Sequence, residues 1–251
     1  MGGERGGVAR AANGNGDGSR GNLAGSGEWR GYGVRGGGRW GGQGGRVLIS
    51  DQPVTPQAGT LQLDSGFFNK GFGAYDITGN EGLQVADGTQ VNVTAPVYRL
   101  NDTAQNLASG ADPRSALQIW TPPQYRETPT KGQLTVRKGA SLNLQAGSAL
   151  STAAQMATTQ ARIGQGAVIN VDPGQSIGVR SIGQLTVDGT LNAWGGNITL
   201  EGVSVQPSVA DAVEAKGHDR SIWIGEHAVL DVAARAATAV DSLGRRYGVV
   251  G

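Results

Sequence analysis

The chain has 251 residues with 44 Gly, 5% aromatic residues and no Cys. This composition excludes disulfides and thiolate metal sites, and no apolar run approaches the roughly 20 residues that a membrane-spanning helix needs. The net charge of +1 conceals an asymmetry, because residues 1–46 hold seven Arg against three acidic residues while the remainder is slightly acidic.

Residues 1–46 form a Gly/Arg-rich, low-complexity segment in which Trp29, Tyr32 and Trp40 are scattered. The segment has no apolar periodicity and too little apolar area to offset backbone entropy, so its sequence predicts disorder. Arg-Gly segments with interleaved aromatic side chains can also bind single-stranded nucleic acid through phosphate contacts and base stacking. Nucleic-acid binding by this segment is therefore one alternative function, and the other interpretations are a plain linker and GC-rich DNA read out of frame.

The composition changes at Val47, which begins a run typical of a β-strand. The stretch GTLQLDSG (59–66) alternates apolar and polar residues with the period of two expected for a strand. We therefore predict an all-β domain over residues 47–251 with two surface excursions, at about 100–131 and 204–220. The first excursion contains four of the nine Pro residues, which favour irregular surface structure.

A nine-letter pattern, V-x-x-G-T-x-V-N-V, recurs along this domain. Copies begin at Val85, Val136, Ile163 and Ile224, and a shortened form begins at Val187. In four copies a Gly (Gly88, Gly139, Gly166 and Gly189) is predicted to form a turn with positive φ, and His227 takes this position in the copy that begins at Ile224. The residues after the turn are predicted to form a strand.

Alternate side chains of a strand point to opposite faces, which divides each copy into inward and outward positions. The inward apolar positions include Leu142, Ile169 and Leu230. The outward positions, one residue later, are Asn143, Asn170 and Asp231, and Asn92 and Asn192 occupy the same slot in the other copies.

Imperfect repeats of about 20–30 residues are typical of solenoids, in which a single unit cannot bury its apolar face alone. Stacked units can bury it, because strands of successive coils pair in parallel. The repeat therefore predicts a β-solenoid. An antiparallel sandwich would also alternate, but it gives no reason for the same phrase to recur.

Several longer stretches carry a family resemblance when they are read in order. They are GFGAYDITGNEGLQVADGTQVNVTAPVYRL (71–100), WTPPQYRETPTKGQLTVRKGASLNL (120–144), GGNITL (195–200), IWIGEHAVLDV (222–232) and DSLGRRYGVV (241–250). Together they resemble the filamentous-haemagglutinin-like exoproteins of two-partner secretion systems, which are adhesins of Gram-negative bacteria. The resemblance covers about residues 47–251.

The resemblance implies a right-handed parallel β-helix that is exported through a dedicated outer-membrane two-partner secretion transporter. It also implies a secreted or cell-surface location and adhesion to a host or bacterial ligand that the sequence does not identify. No signal peptide and no NPNG or NPNL box are visible, so we expect an interior fragment of a longer exoprotein that does not insert into a membrane. Exposed binding candidates in the first excursion are Trp120, Tyr125 and Arg126.

Parallel β-helices also include polysaccharide lyases and hydrolases, so a carbohydrate-active enzyme is the alternative from another class. Glycoside hydrolysis needs two carboxylates that face one groove. Here Asp87, Asp172 and Asp188 lie beside Gly or Pro-Gly, where a turn explains them. The two His residues, His218 and His227, show no metal-ligand spacing. We therefore predict no catalytic residue, no cofactor and no metal site.

Overall fold

The computed structural model describes residues 29–31, 39–53, 58–128, 133–204 and 220–250. The described chain is mostly β. The first strands are β1 (Trp29–Gly31), β2 (Arg39–Ile49), β3 (Thr60–Leu63), β4 (Ala74–Val85), β5 (Gln90–Val93), β6 (Val97–Leu100), β7 (Leu117–Trp120), β8 (Tyr125–Thr128), β9 (Gln133–Val136) and β10 (Ser141–Ala146). They are followed by β11 (Gln160–Ile163), β12 (Val168–Val171), β13 (Ser176–Ser181), β14 (Gln184–Val187), β15 (Thr190–Asn192), β16 (Asn197–Gly202), β17 (Ile222–Ile224), β18 (Val229–Asp231), β19 (Ala236–Val240) and β20 (Arg246–Val250).

Most of the described strands pair in parallel and form three ladders, which we together call the body. The first ladder is β2–β4–β10–β13–β16, and the second is β3–β2–β4–β11–β14–β17. The strands β2 and β4 are long enough to contribute their first halves to the first ladder and their second halves to the second. The third ladder is β5–β12–β15–β18. A large parallel sheet is therefore the dominant element of the described chain.

The chain visits the three ladders in a fixed order. The sets β4–β5, β10–β12, β13–β15 and β16–β18 each pass through the first, second and third ladder in turn. We call these sets rungs 1 to 4. Each strand pairs in parallel with its equivalent in the next rung, so equivalent residues of successive rungs lie one above another.

The register places apolar side chains in continuous interior rows. In the third ladder Val91, Ile169, Leu191 and Leu230 are successive partners. The first three are completely buried, and Leu230 of rung 4 is 43% exposed. Leu142 in the first ladder is also completely buried. The predicted inward positions are therefore confirmed for Leu142 and Ile169, whereas Leu230 holds the same register and is partly exposed.

A stack of Asn side chains runs along the outer face of the third ladder. The Nδ2 of Asn170 donates to Oδ1 of Asn92 at 2.8 Å, and the Nδ2 of Asn192 donates to Oδ1 of Asn170 at 2.7 Å. Asp231 is the next residue in register. The outward position predicted for Asn170 is thus confirmed, and its amide links three rungs.

The repeat copy that begins at Val136 is not equivalent to the others, which corrects the predicted alignment. Val136 is 54% exposed, and Asn143 lies in the first ladder, where its Nδ2 donates to Asp76 at 2.8 Å. The other copies run from a strand of the second ladder into a strand of the third. The copy at Val136 instead runs from β9, outside the ladders, into β10 of the first ladder. Gly88 and Gly166 adopt the predicted positive φ (70° and 68°), whereas the prediction of positive φ is wrong for Gly139 and Gly189.

Gly139 is required for space rather than for φ. A Cβ at this position would lie 2.5 Å from Cγ of Gln175 and 2.7 Å from Cβ of Asp172, closer than real contacts allow. Its place in the sequence pattern therefore reflects tight packing against the neighbouring rung.

An aromatic cluster closes the end of the ladders near β3. A 3₁₀-helix (Ser65–Asn69) follows β3 and buries Phe67 and Phe68, while Tyr75 at the start of β4 is completely buried. The rings of Phe67, Phe68 and Phe72 lie with centroids 5.5–5.8 Å from the Tyr75 ring. The N–H of Thr94 donates to the carbonyl of Phe68 at 3.1 Å, which ties this aromatic cap to rung 1.

The structure also moves the predicted boundary at residue 46. Strand β2 begins at Arg39 and pairs with β4 from Arg39↔Ala74 onward, and β1 pairs with β2 through Trp29↔Gly42. Parts of the segment predicted to be disordered are therefore strands. The prediction used composition alone, whereas the edge of β4 supplies the hydrogen-bond partners of β2. Residues 1–28 and 32–38 of that prediction lie outside the described residues.

Residues 97–128 and 133–136 lie outside the three ladders, close to the excursion predicted at 100–131. They form two antiparallel pairs, β6–β7 and β8–β9, and include 3₁₀-helices at Ala104–Asn106 and Pro113–Ala116. Strand β8 also pairs with β19, which pairs with β20. Most of the excursion predicted at 204–220 lies outside the described residues.

A short helix, α1 (Ala153–Thr158), interrupts rung 2 between β10 and β11 and was not predicted. Thr152 and Gln155 form a capping box at its start. Met156 is completely buried against Ile182, with Val203 packed beside them. The helix thus covers the corner between the first two ladders across rungs 2 to 4.

Candidate functional site

The β6–β7 pair presents an apolar face that the described part of the chain leaves exposed. The register pairs Tyr98 with Ile119 and Leu100 with Leu117, so these four side chains lie on one face. Their exposures are 51%, 56%, 67% and 43%, in that order. We call Tyr98, Leu100, Leu117 and Ile119 the ribbon surface. An exposed apolar patch of this kind is typical of an interaction site.

The opposite face of the same pair carries Trp120, the first of the predicted binding residues. The guanidinium carbon of Arg99 lies 5.0 Å from the Trp120 ring centroid, within the range of a cation–π contact. Trp120 is half-buried. Its ring therefore already has a cationic partner in this chain, and its free surface is smaller than the sequence suggested.

Tyr125 and Arg126, the other two predicted residues, lie in a different sheet. Both are on β8, where they pair with Val136 and Thr135 of β9 and with Ala239 and Val240 of β19. Arg126 is exposed and Tyr125 is half-buried. The three predicted residues are thus divided between two sheets of the excursion.

A buried ion pair fixes the base of the excursion. Asp172, 5% exposed, accepts hydrogen bonds from both terminal nitrogens of Arg137 at 2.9 and 2.7 Å. Its carboxylate also accepts from the N–H groups of Ala95 at 3.0 Å and Ala140 at 3.1 Å. One carboxylate therefore holds both ends of the 96–139 segment to rung 2.

This role of Asp172 was missed in the sequence, where its Pro-Gly neighbours indicated an ordinary turn. The signal that could have found it is weak, since Arg137 lies 35 residues away. A buried carboxylate needs a counter-charge and several donors, and Asp172 has both.

The other turn carboxylates link successive rungs. Oδ1 of Asp87 accepts from the N–H of Gln165 at 3.0 Å and lies 3.0 Å from Arg162. Oδ1 of Asp188 accepts from the N–H of His227 at 3.2 Å, with the imidazole Nδ1 at 3.3 Å. Each carboxylate thus contacts a backbone N–H and a side chain of the following rung, which is Arg162 for Asp87 and the imidazole of His227 for Asp188.

Rung 4 carries a second polar cluster. Nε1 of Trp194 donates to Asp231 at 3.1 Å, Arg235 pairs with the same carboxylate oxygen, and the Arg235 guanidinium lies 4.6 Å from the Trp194 ring centroid. The N–H of Ala233 and the guanidinium of Arg235 lower the pKa of Asp231. This carboxylate cannot donate to Asn192, so the Asn stack ends here.

Among the described residues, the apolar side chains of the interior rows are partly exposed at rung 4, a feature that the sequence indicated only in part. Ile222, Ile224, Leu230 and Val232 are 46%, 45%, 43% and 46% exposed. We call these four residues the end surface. Their inward register was readable from the repeat, but their exposure depends on what lies above them.

Within the described ranges, no three His, Cys, Asp or Glu side chains lie close enough together to hold a metal ion. His218 lies outside those ranges. None of the helices that the structure describes has the length and hydropathy of a membrane-spanning helix. Comparisons with protein families, curated proteins and solved structures found no match.

Proposed function

We propose that this chain is a segment of a right-handed parallel β-helix from a large filamentous-haemagglutinin-like exoprotein, and that its work is structural and adhesive. The observation that carries this proposal is the fixed order of three parallel ladders through rungs 1 to 4. A coil that repeats this order is the unit of a β-solenoid, in which each unit contacts mainly its neighbours.

The mechanical part of the function rests on contacts that cross rungs. Backbone hydrogen bonds join equivalent strands, aliphatic rows fill the interior, and the amides of Asn92, Asn170 and Asn192 form a continuous stack. Asp87 and Asp188 add side-chain links at the corners. Such a body resists bending because every rung is held at several points.

The adhesive part of the function is assigned to the excursion. The ribbon surface offers four exposed apolar side chains on a strand pair, and the Asp172–Arg137 pair holds the base of the excursion against the body. Anchoring of this kind reduces the conformational entropy that binding must overcome. Export through an outer-membrane transporter and a cell-surface location belong to the same proposal and rest on the resemblance over residues 47–251.

The non-enzymatic assignment is supported by the engagement of the candidate carboxylates. Asp172 accepts four hydrogen bonds within the chain, and Asp87 and Asp188 are occupied at rung-to-rung contacts. A glycoside hydrolase needs one carboxyl group free to protonate a leaving group and another free to attack or to activate water.

The test is attachment of beads that carry the full chain to cultured epithelial cells and to Gram-negative bacteria. Beads with wild-type protein should attach to at least one surface several-fold better than beads with albumin. The double change Tyr98→Ser with Ile119→Ser should reduce attachment to the albumin level. Val136→Ser is the matched control, because Val136 is an equally exposed apolar residue on another strand pair.

Trp120→Ala and Arg126→Ala test the residues indicated by the sequence in the same assay. No attachment to either surface, or equal attachment by the Tyr98/Ile119 variant, would contradict the adhesive assignment. Release of reducing sugar from polysaccharides would favour the enzyme instead. Salt-sensitive retention of single-stranded DNA that disappears on deletion of residues 1–46 would favour the nucleic-acid binder.

A further inference from the structure

Each rung turns from the second ladder to the third through a short loop, which we call its turn corner. The turn corners of rungs 1 to 4 are residues 86–89, 164–167, 188–189 and 225–228. The residue directly after the second-ladder strand, which we call the first corner position, is in turn Ala86, Gly164, Asp188 and Gly225. The strands on either side carry the same apolar pattern in every rung, so the apolar rows do not explain why this position changes.

Between rungs 1 and 2, the carboxylate of Asp87 lies where a side chain of Gly164 would be. A Cβ on Gly164 would overlap Oδ1 of Asp87 and would lie 2.7 Å from the backbone N of Asp87. The same Oδ1 accepts from the N–H of Gln165 at 3.0 Å. Gly164 does not have a positive φ, so its backbone conformation alone would accept Ala. Glycine is therefore required here by the carboxylate and the backbone of the preceding rung.

The same arrangement recurs between rungs 3 and 4. A Cβ on Gly225 would overlap Oδ1 of Asp188 and would lie 2.7 Å from Cγ of Asp188 and 2.9 Å from Cη2 of Trp223. Oδ1 of Asp188 accepts from the N–H of His227 at 3.2 Å, and Gly225 also has no positive φ. The turn corner has four residues in rung 1 and two in rung 3, so loops of different length reach the same carboxylate–glycine contact.

The junction between rungs 2 and 3 is the reverse case. The turn corner of rung 2, residues 164–167, contains no Asp or Glu, and the first corner position of rung 3 is Asp188, which has a side chain. The N–H of Asp188 donates to the carbonyl of Ile163 at 3.0 Å, as a regular continuation of the ladder. Across these three junctions, a corner carboxylate is followed by Gly, and a corner without one is followed by a residue that has a Cβ.

Alternation by itself does not determine which rung lies on which. A shift by one residue would turn the apolar side chains outward, whereas the omission of a whole rung would keep every apolar side chain on its inward face. Val91, Ile169 and Leu191 are successive partners in the third ladder. Leu191 would continue the row equally well if it lay directly on Val91, so another feature must exclude that arrangement.

We propose that the turn corners select the neighbour of each rung, because a corner Asp requires Gly at the first corner position of the rung that follows it. If rung 3 stacked directly on rung 1, the Cβ of Asp188 would take the place of the absent Gly164 side chain. It would overlap the carboxylate of Asp87 and bring two carboxylates together, which repel each other. This inference goes beyond the proposed structural and adhesive function and does not depend on it.

The experiment is a double-mutant cycle at the junction of rungs 3 and 4, measured by the thermal midpoint of the full chain. Gly225→Ala should lower the midpoint by about 5 °C or more, because its Cβ displaces the carboxylate that accepts from the N–H of His227. In a chain that carries Asp188→Ala, the same change should leave the midpoint unchanged or raise it, because Ala restricts the unfolded chain. The Trp223 ring is 51% exposed and can move aside.

Gly248→Ala is the matched control. A Cβ on Gly248 meets nothing within 4 Å, and Gly248 has no positive φ, so this change should not lower the midpoint in either background. An equal decrease from Gly225→Ala with and without Asp188 would overturn the proposal, and so would a Gly225→Ala chain as stable as wild type. If Gly225→Ala does not fold, the double variant should still give the circular dichroism spectrum of Asp188→Ala, and an unfolded double variant would overturn the proposal.

A second variant imitates stacking in the wrong order. Gly164→Asp gives rung 2 the residue that rung 3 has at the first corner position, and it should lower the midpoint by about 10 °C or prevent folding. Asp87→Ala in the same chain should recover part of the loss. The recovery is partial because the backbone N of Asp87 also lies close to the new Cβ. No recovery would overturn the selection of neighbours by the carboxylate.

Discussion

The two ends of the parallel ladders use the same alternation of inward and outward residues and reach opposite outcomes. At the aromatic cap, a 3₁₀-helix folds Phe67 and Phe68 over rung 1, and both are buried. At the end surface, Ile222 and Leu230 keep the interior register and are nearly half exposed. The comparison shows that register decides which way a side chain points, whereas burial depends on the next layer.

The sharpest test of this comparison uses two positions in one interior row. Ile169→Asp places a carboxylate without a partner in a completely buried site and removes its packing, so it should cost at least ~4 kcal/mol of unfolding free energy. Leu230→Asp occupies the same row at rung 4 and should cost about 1 kcal/mol or less.

Urea unfolding of both variants below 1 μM, where association does not contribute, measures this pair of losses. Equal losses would mean that the end surface is covered in solution.

The second test compares packing at the two ends. Phe68→Ala removes a completely buried ring from the aromatic cap and should destabilise the fold by about 3–5 kcal/mol. Ile222→Ala removes a side chain that is 46% exposed and should cost no more than about 1 kcal/mol. Thermal melts at matched concentration give both values, and a larger loss for Ile222→Ala would reverse the assignment of closed and open ends.

The aromatic cap should also make stability depend on alkaline pH. Burial raises the pKa of Tyr75 from 10.0 to about 12, although the N–H of Lys70 donates to its hydroxyl at 3.0 Å. Because the folded pKa is the higher one, the cap's contribution is complete below pH 10 and is lost as the pH rises through 12. The loss should approach about 3 kcal/mol.

Guanidinium unfolding at pH 9 and pH 11.5 measures this effect. Tyr75→Phe should show a smaller decrease between the two pH values, and an identical decrease would assign the effect to other groups.

The smallest expected effect lies in the Asn stack between the two ends. Asn170→Asp removes the donor to Asn92 and places a carboxylate beside its Oδ1, at a cost of about 1 kcal/mol. Gln90→Glu, on the exposed face of β5 in the same ladder, is the control and should be near neutral. Thermal midpoints that fall equally in both variants would show that the stack adds nothing beyond surface charge.

Much of the body could be predicted from local patterns. Alternation predicted β3 and the burial of Leu142 and Ile169, and the repeated Gly predicted the turns at Gly88 and Gly166. The copy at Val136 misled the alignment, because the same pattern there runs from β9, outside the ladders, into β10 of the first ladder. The strands that begin at Trp29 and Arg39 were missed, because their pairing depends on strands elsewhere in the chain.

The candidate sites were less accessible to sequence reasoning. Trp120, Tyr125 and Arg126 were placed in the excursion, but their division between two sheets follows from the pairing of β8 with β19 across more than 100 residues. The ribbon surface was missed because VYRL and LQIW have apolar residues on both faces and give no single inward direction.

The sequence by itself determined the strand alternation, the inward aliphatic positions and the outward Asn slot, because these depend on side-chain direction along a few adjacent residues. Only the tertiary structure decided that Asp172 would meet Arg137 and that Asn170 would stack on Asn92, 78 residues away. It also decided which end of the ladders is closed. These outcomes depend on which distant segment lies above each rung, and a local pattern carries no information about that neighbour.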